Sequence, residues 1–378
     1  MHVLIVSLRG PTAAARRGGA QAYVGALGAA WAAWGHEVTV LCAQERLRDG
    51  TTPPGTETLG GVRVRRVGTP EARVRPLVRA AREMAPTADA VVENVMAVPL
   101  GLPLLLPRRT PLVAIKHHFQ GAAFAESQGL WRGALGRLLE AAAMPLAYRR
   151  VPLVVPSEKT AAEARRRGFG RGAAVHVVPP PVPPPPEAPG VARAEAPTVL
   201  YVGAVARARK RVHELVRAFE GARREVPAAR LVIAGEGPDR DALERESSGA
   251  DASGAVRFVG FVTEREKAEW MARAWAFGSA SVHEGFGITW VEAGAAGLPV
   301  VGYRVPGLDT LDDSRALLVP PGDVGALSRA LARVLTDAPL RQRLGAAARA
   351  GARLFDPEAS ARAFLDVVEA AVRARSGA

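Results

Sequence analysis

Strand and helix patterns alternate along this chain in two series, and this alternation restricts its fold more than any other feature of the sequence. The first series opens with the apolar run HVLIVS, after which apolar residues such as Tyr23, Leu27 and Trp31 recur at helical spacing. Gly35 ends the helical pattern, and the run VTVLC returns the chain to a strand. Strand, helix and strand in this order predict a mostly parallel, doubly wound α/β sheet.

A proline-rich segment separates the two series. Residues 179–190 read PPPVPPPPEAPG, which excludes a helix or central strand and favours a stiff linker, although such a run can also be a ligand for proline-binding domains. We expect a Rossmann-like domain over 1–178, a linker over 179–195, a second Rossmann-like domain over 196–356, and a C-terminal helix over 357–378 that packs back toward the first domain. A chain of 378 residues is long enough for two such domains facing each other across a cleft.

Positive charge is concentrated in the first half of the chain. Residues 1–190 hold 24 Lys and Arg against 13 Asp and Glu, within a net charge of +13. The asymmetry predicts an anionic partner, either a membrane surface or a phosphorylated substrate, unless it only reflects a GC-rich genome. Nucleic acid is not expected, because aromatic residues form 5% of the chain and do not accompany the basic runs. Arg75, Arg79 and Arg82 have helical spacing and predict either a basic helix that lies on anionic lipid or a solvated helix face.

We expect neither a secretory signal nor a membrane-spanning segment. The start, MHVLIVSLRG, lacks the long apolar region of a secretory signal. The uncharged stretch over residues 94–107 is too short to cross a bilayer and is interrupted by prolines. Cys42 is the only cysteine, so no intrachain disulfide is possible. We therefore expect a cytoplasmic protein, peripheral at the inner face of the membrane if its basic half binds lipid.

Residues 283–301, HEGFGITWVEAGAAGLPVV, carry the main chemical signal. Their pattern predicts a turn at EGFG between a strand and a helix, and ligands of α/β sheets bind beyond the carboxyl ends of strands. Gly285 and Gly287 allow backbone N–H groups to approach an anionic phosphate at the start of the helix. Glu284 and Glu292 would repel phosphate, so they are expected to accept hydrogen bonds from hydroxyls at the two ends of the ligand. A sugar nucleotide has this arrangement of groups.

This segment resembles the Glu-x7-Glu motif of the retaining GT-B glycosyltransferases of family 4. The similarity extends to GGAQAYVGALGAAWAAWGHEVTVL, which resembles the family's first βα unit, and to YVGAVARARKRVHELVRAF, which resembles the start of its second domain. The stretches LVIAGEGPDRDALE and ALLVPPGDVGALSRAL also fit. The resemblance implies the GT-B fold, two Rossmann-like domains facing a cleft. It also implies transfer of a sugar from a nucleoside diphosphate donor, UDP- or GDP-linked, with retention at the anomeric carbon.

The resemblance also assigns roles to individual residues. Glu284 would hold hydroxyls of the donor sugar, Glu292 would bind the ribose, and Lys210 would neutralise the diphosphate, unless Lys210 belongs only to a solvated basic run. His117 matches the family's histidine near the reaction centre, with His118 as a near competitor. Backbone contacts to sugar and phosphate are implied for Gly285, Phe286, Gly287 and Ile288.

The sequence departs from the family pattern at one position. Ala204 replaces the arginine that usually precedes the lysine by six residues, so that either Arg207 or Arg209 reaches the phosphates or the donor is held less tightly. We favour Arg207. Gly18 and Gly19 match a glycine pair that admits the donor phosphates to the first loop, although such pairs also occur in ordinary flexible loops.

By this resemblance we expect a metal-independent retaining hexosyltransferase of cell-envelope glycolipid or polysaccharide synthesis. No metal or cofactor is expected, since no His, Asp or Glu cluster has ligand spacing, and His283 is interpreted as structural. One alternative is a natural-product glycosyltransferase with a small soluble acceptor, and another is a catalytically silent sugar-nucleotide-binding protein. A dinucleotide-dependent oxidoreductase is disfavoured because the first loop, SLRGPTAAARRGG, lacks the GxGxxG pattern.

Overall fold

A computed structural model of the protein describes residues 1–12, 19–46, 50–96, 99–119, 142–181, 183–250, 254–305 and 311–376. The chain forms two compact units, Met1–Pro181 together with Asp356–Ala378, and Val182–Phe355. Each unit contains one mainly parallel sheet with helices between its strands, which is the fold class that the sequence predicted. The boundary between the units follows Pro181, within the segment predicted to be a linker.

The first unit is built on a sheet that has eight strands among the described residues, in the order β3-β4-β2-β1-β5-β6-β7-β8. The strands are β1 (His2–Ser7), β2 (Glu37–Ala43), β3 (Thr56–Leu59), β4 (Val62–Val67), β5 (Ala90–Val95), β6 (Leu112–Lys116), β7 (Leu153–Val155) and β8 (Val175–Val177). Edge strand β3 runs antiparallel to β4, whereas the other pairs are parallel. The sequence did not predict β3 because its residues, TETL, have no apolar face.

Helices cover both faces of this sheet. Among the described residues before the second unit, the α-helices are α1 (Gly19–Ala33), α2 (Val74–Met84), α3 (Leu102–Leu105), α4 (Met144–Ala147) and α5 (Glu158–Arg166). In β1, Val3 and Ile5 pack with α1, whereas Leu4 and Val6 pack with α2, α4 and α5 on the opposite face. Because both faces of the strand are buried, it appears in the sequence as a continuous apolar run.

The second unit has a fully parallel sheet in the order β11-β10-β9-β12-β13-β14 over its described residues. The strands are β9 (Thr198–Val202), β10 (Arg230–Ala234), β11 (Val256–Gly260), β12 (Ala276–Ser279), β13 (Val300–Tyr303) and β14 (Ala316–Val319). The helices are α6 (Val212–Arg223), α7 (Arg240–Ala250), α8 (Glu264–Arg273), α9 (Ile288–Ala295), α10 (Val324–Thr336) and α11 (Ala338–Ala352). The predicted turn at EGFG and the helix after it are both present.

Each sheet has a point at which the direction of winding reverses. In the second unit the chain passes from β9 to β10 and β11 on one side, then returns to β12 on the other side of β9. In the first unit the corresponding reversal lies between β1 and β5. Connections that leave adjacent strands in opposite directions open a crevice at their carboxyl ends, where ligands of such sheets bind.

The last helix, α12 (Pro357–Ser376), belongs to the first unit although the second unit precedes it in the sequence. The Trp31 indole Nε1–H donates a hydrogen bond to the Ala361 carbonyl at 3.0 Å. The Phe364 ring is fully buried, with its centroid 5.5 Å from that of Trp31 and 6.4 Å from that of Tyr23. Helix α12 therefore completes the helical layer that α1 begins.

The structure limits one interpretation of the basic helix α2. Its arginines Arg75, Arg79 and Arg82 are exposed, but Leu77 and Ala81 on its apolar side are buried in the core of the unit. The apolar side is therefore not available to enter a lipid surface, and only the charged side faces solvent. Among the described residues, no helix is both long enough and apolar enough to span a bilayer.

We expect replacement of Phe364 by Ala to destabilise the first unit by about 3–5 kcal/mol, because a buried ring is lost and a cavity is left behind. Hydrogen exchange should quicken at the amides of β1 and β2 and stay unchanged at those of β9 and β10. Asp366, exposed on the same helix, gives the control variant Asp366→Ala, expected to change stability by less than about 0.5 kcal/mol. Equal protection in both variants would contradict the packing described for α12.

Candidate active site

The loops that follow β9 and β12 meet at the reversal point of the second sheet. The Val282 N–H donates a hydrogen bond to the Arg209 carbonyl at 2.9 Å, and the Ser281 hydroxyl donates to the same oxygen at 3.2 Å. These contacts join the loop that carries Lys210 to the loop that carries Glu284. Two segments far apart in the sequence are thereby held side by side at the carboxyl end of the sheet.

Lys210 and Glu284 form an ion pair at this position. The Lys210 Nζ lies 2.6 Å from the Glu284 Oε1, and the two side chains are 26% and 12% exposed. A partly desolvated cation and carboxylate in contact can serve two neighbouring parts of one ligand: the ammonium binds an anionic group, and the carboxylate accepts hydroxyl protons. The structure therefore brings together two of the residues that the sequence predicted as catalytic.

The residue after Lys210 has a strained backbone. Arg211 has φ 44°, which makes it the one non-glycine residue with positive φ in the described parts of the chain. Its guanidinium Nη1 donates to the Glu214 Oε1 at 2.7 Å, and the Tyr303 hydroxyl donates to the Glu214 Oε2 at 2.6 Å. A conformation of this kind costs of order 1–3 kcal/mol and persists only where surrounding contacts hold it. The buried Glu214 supplies those contacts and so fixes the chain direction next to Lys210.

The glycine turn leads directly into helix α9. Gly287 precedes the helix in the left-handed region, φ 82°, and its carbonyl accepts hydrogen bonds from the N–H groups of Trp290 and Val291. The Phe286 side chain is buried against Phe355, with ring centroids 5.2 Å apart. Phe286 therefore anchors the turn through an apolar contact, so any contact it makes with a ligand is through its backbone. Helix α9 begins at Ile288, the last of the four positions predicted to contact the donor through the backbone.

Glu292 lies in the first turns of α9 and is 7% exposed. Its Oε1 is 2.7 Å from the Nζ of Lys267 on α8, and its Oε2 has no hydrogen-bond partner among the described residues. Burial raises the pKa of Glu292, and the nearby Lys267 ammonium opposes that rise. A buried carboxylate oxygen with no hydrogen-bond partner among the described residues is suited to accept a hydrogen bond from a ligand hydroxyl.

His117 follows β6 and is held by a chain of hydrogen bonds at the reversal point of the first sheet. Its Nε2 lies 2.8 Å from the Asn94 Oδ1, the Asn94 Nδ2 donates to the Ser7 Oγ at 2.9 Å, and that hydroxyl donates to the Arg9 carbonyl at 2.6 Å. An amide oxygen only accepts, so this network assigns the proton to Nε2 and leaves Nδ1 as an acceptor.

The environment of His117 keeps it neutral. Burial, aided by the neighbouring Lys116 ammonium, lowers the pKa of His117 to about 4. The Tyr23 ring contacts the imidazole edge to face, with centroids 5.2 Å apart. At neutral pH the imidazole is therefore uncharged and can accept a hydrogen bond from a hydroxyl group. His118, the next residue, is half-buried.

The structure gives less support to the roles predicted for the remaining residues. The guanidinium of Arg207 contacts the exposed Glu246, with Nη2 2.6 Å from its Oε2, so in this conformation it is directed to α7. Arg209 contributes its carbonyl to the loop contact described above. Gly19 is the first residue of α1, and Gly18 lies outside the described residues. Which arginine compensates for Ala204 stays a prediction.

The sequence analysis missed two side chains of the site. Asn94 could have been found, because it is a polar residue at the carboxyl end of the buried strand β5. Lys267 could not, because it lies in the charged segment EREKAEW and looks like a solvated helix face. Within the described ranges, no group of three His, Cys, Asp or Glu side chains is arranged to hold a metal ion.

Two family models match the chain, one in each half. Residues 18–181 match the model described as glycosyl transferase 4-like domain, and residues 188–351 match the model described as glycosyl transferases group 1. Between them the two models cover most of the sequence.

Individual relatives agree with this result. The chain is 39% identical over 145 residues to a D-inositol 3-phosphate glycosyltransferase of Nocardioides sp., an alignment that covers 35% of this chain and about a third, 32%, of that relative. Among solved structures, sucrose-phosphate synthase from Thermosynechococcus elongatus has a TM-score of 0.75 at 23% identity and 97% coverage of both chains. HepE from Anabaena, solved with UDP and glucose, has a TM-score of 0.73 at 16% identity, covering 98% of this chain and all of that one. These structures show that the fold is GT-B.

The hydrogen bond between Asn94 and His117 leads to a test by NMR. In the variant Asn94→Asp a carboxylate faces the imidazole Nε2, which favours the charged ring, so the pKa of His117 should rise from about 4 by about 1–3 units. A histidine ¹⁵N–¹H titration measures this shift. His36 and His176 in the same spectra are the internal controls and should not move. An unchanged His117 pKa would contradict the relay.

Proposed function

Because both halves of the chain belong to glycosyltransferase domain families, we propose that the protein transfers a sugar from a nucleoside diphosphate donor to an acceptor hydroxyl. The observation that supports this proposal most directly is the contact between Lys210 and Glu284 at the reversal point of the second sheet. The contact places a cation that can bind phosphate beside a carboxylate that can accept hydrogen bonds from sugar hydroxyls. One sugar nucleotide can therefore contact both side chains.

In the proposed reaction Lys210 neutralises the diphosphate as it departs. The ammonium leaves Glu284 for the phosphate oxygens, and Glu284 then accepts hydrogen bonds from hydroxyls of the transferred sugar. A fixed cation placed next to developing negative charge stabilises the transition state by several kcal/mol. In this proposal Lys210 replaces the divalent cation that other transferases use. The N-terminal amides of α9, reached through Gly285 and Gly287, bind the same phosphates.

Glu292 is proposed to bind the ribose of the donor through its open Oε2. We assign to His117 of the first unit a hydrogen bond from a substrate hydroxyl to its neutral Nδ1. Sugar transfer is proposed to proceed with retention by a front-face route, in which the departing phosphate helps deprotonate the acceptor. UDP- and GDP-linked sugars both fit these roles, and the neighbour HepE was solved with UDP and glucose.

The acceptor is proposed to be a glycolipid or polysaccharide of the cell envelope, reached at the cytoplasmic face of the membrane. The relative named above acts, by its name, on a phosphorylated inositol, which agrees with a basic acceptor-side domain.

In the first unit Leu104 and Leu146 are 73% and 68% exposed, and the Gly101 N–H donates to the Tyr148 hydroxyl, so the short helices carrying these leucines are neighbours. Exposed arginines follow both helices, at positions 108, 109, 149 and 150.

Two other functions stay open. A small soluble acceptor, such as a natural-product aglycone, needs no lipid contact and is favoured if membrane binding is absent. A silent sugar-nucleotide-binding protein is favoured by Ala204 together with the engagement of Arg207 by Glu246. Hydrolysis or transfer of UDP- or GDP-sugars by the purified chain separates this last function from an enzyme.

The two carboxylates should respond differently to replacement by Gln. Glu284→Gln should lower kcat by roughly 10²-fold, because the lost interaction is near the reacting carbon and Lys210 loses its partner. Glu292→Gln should mainly raise the KM for the donor and the Kd for the free nucleoside diphosphate, by about tenfold or more. Glu225→Ala, at an exposed position of the same unit, is the control and should match wild type. Equal effects of the first two variants would refute the separate roles.

Membrane contact is tested by replacing Arg75, Arg79 and Arg82 together with Gln. Each cation near an anionic surface contributes roughly 1 kcal/mol, so binding to anionic vesicles should fall by about a hundredfold. Co-sedimentation with anionic and neutral vesicles at low and high salt measures the change.

The matched control removes the same charge from the second unit, by replacing exposed Arg217, Arg224 and Arg343 with Gln. It should bind vesicles like wild type. Replacing Leu104 and Leu146 with Ser should weaken binding even at high salt, where apolar contact dominates. If the wild type binds neither type of vesicle, the membrane proposal is wrong and the soluble acceptor becomes the better choice.

A further inference from the structure

Lys267 is a buried lysine that the proposed reaction has not used. Its side chain is 9% exposed, and its Nζ lies 2.7 Å from the Glu292 Oε1 and 2.7 Å from the Glu264 Oε2. Burying an ammonium in contact with two carboxylates is expensive unless its geometry is well held. The position next to Glu292 therefore calls for a functional explanation.

The start of α8 fixes where Lys267 points. Thr263 and Glu266 form a capping box, in which the Thr263 N–H donates to the Glu266 Oε2 at 2.7 Å and the Glu266 N–H donates to the Thr263 Oγ1 at 3.2 Å. This reciprocal pair sets the first turn of the helix, and Lys267 is the next residue. The Glu264 carboxylate on the same turn holds the ammonium from its exposed side.

The contact with Lys267 makes the two carboxylate oxygens of Glu292 different in their hydrogen bonding. Oε1 accepts from the ammonium, while Oε2 is buried and lacks a hydrogen-bond partner among the described residues. A buried acceptor without a partner is costly in a folded protein and calls for an unseen partner such as a ligand. The ammonium thus directs one oxygen toward itself and leaves the other for a hydroxyl.

We propose that Lys267 is a positioning residue that engages the Oε1 of Glu292 and leaves the unpaired Oε2 to accept from the ribose hydroxyls of the donor. This inference rests on the proposed function, since it specifies how the donor-binding carboxylate is prepared. Lys267 itself does not touch the donor, and its effect on binding passes through Glu292.

The charges around Glu292 give the proposal a pH dependence. Burial raises the pKa of Glu292, Glu264 raises it further, and Lys267 lowers it. From α11, Arg349 donates to the Ala296 carbonyl at 3.1 Å, at the opposite end of α9. Without the ammonium the carboxyl stays protonated to a higher pH. A protonated carboxyl is a poor acceptor, so donor affinity is lost below the pKa of Glu292 and present above it.

The test measures binding of UDP, GDP and their 2′-deoxy analogues to the full chain by calorimetry between pH 6 and 9. Wild type should prefer the ribose form by about tenfold or more, as expected for a hydrogen bond to a charged acceptor. Lys267→Met should lose most of this preference at the acid end of the range and regain affinity as the pH rises, because the Glu292 pKa is higher without the ammonium. Lys267→Arg retains the charge and should stay close to wild type.

Three further variants keep the outcome clear. Arg265→Met, at an exposed position two residues earlier, is the matched control and should leave both ribose preference and pH profile unchanged. Lys267→Gln serves if the Met variant does not fold, and should show the same acid-side loss. Glu264→Gln removes a charge that raises the Glu292 pKa, so its affinity should persist to a lower pH than that of wild type.

The results separate failure of this inference from failure of the proposed function. If wild type binds UDP or GDP, but Lys267→Met or Lys267→Gln has the same ribose preference and pH profile, the positioning role is wrong and the transferase proposal stands. If wild type binds neither nucleotide at any pH, both proposals are wrong.

Discussion

The strand order of the second sheet is the constraint on which the candidate active site depends. Because β9 lies between β10 and β12, the connections that leave β9 and β12 run to opposite faces and open a crevice at the carboxyl ends of these strands. Lys210 follows one strand and Glu284 follows the other, and a main-chain hydrogen bond from Val282 to Arg209 keeps their loops in contact. The ion pair therefore joins residues 74 positions apart in the sequence.

A second feature is common to the candidate site residues of both units. Glu292 and His117, one in each unit, are each oriented by a side chain from a different element, so that one polar atom is engaged and another is left for a ligand. Glu292 is held by Lys267, and His117 is held by Asn94. Lys210 sits beside the strained Arg211, whose backbone conformation is maintained through Glu214. Partners of this kind fix rotamers and protonation states before a ligand binds, which reduces the reorganisation that binding requires.

The sequence by itself determined the fold class and the segments that bear the site. Strands that are buried on both faces, such as β1 and β9, appear in the sequence as continuous apolar runs, and helix α1 appears as apolar residues at helical spacing. Both patterns reflect local burial, so they can be recognised without knowing how the elements pack against each other. The glycine turn before α9 was also readable, because Gly287 occupies a left-handed conformation that other residues rarely adopt. The edge strand β3 was missed because it buries no apolar face.

Only the tertiary structure decided which side chains meet. Lys267 looks solvated in the sequence and is buried against Glu292, while the apolar side of the basic helix α2, Leu77 and Ala81, lies in the core. Arg207, expected to reach phosphate, contacts Glu246. Hydropathy and spacing report how a residue relates to its own helix or strand. Pairing between charged groups is instead set by strand order and by the direction in which each neighbouring helix points its side chains.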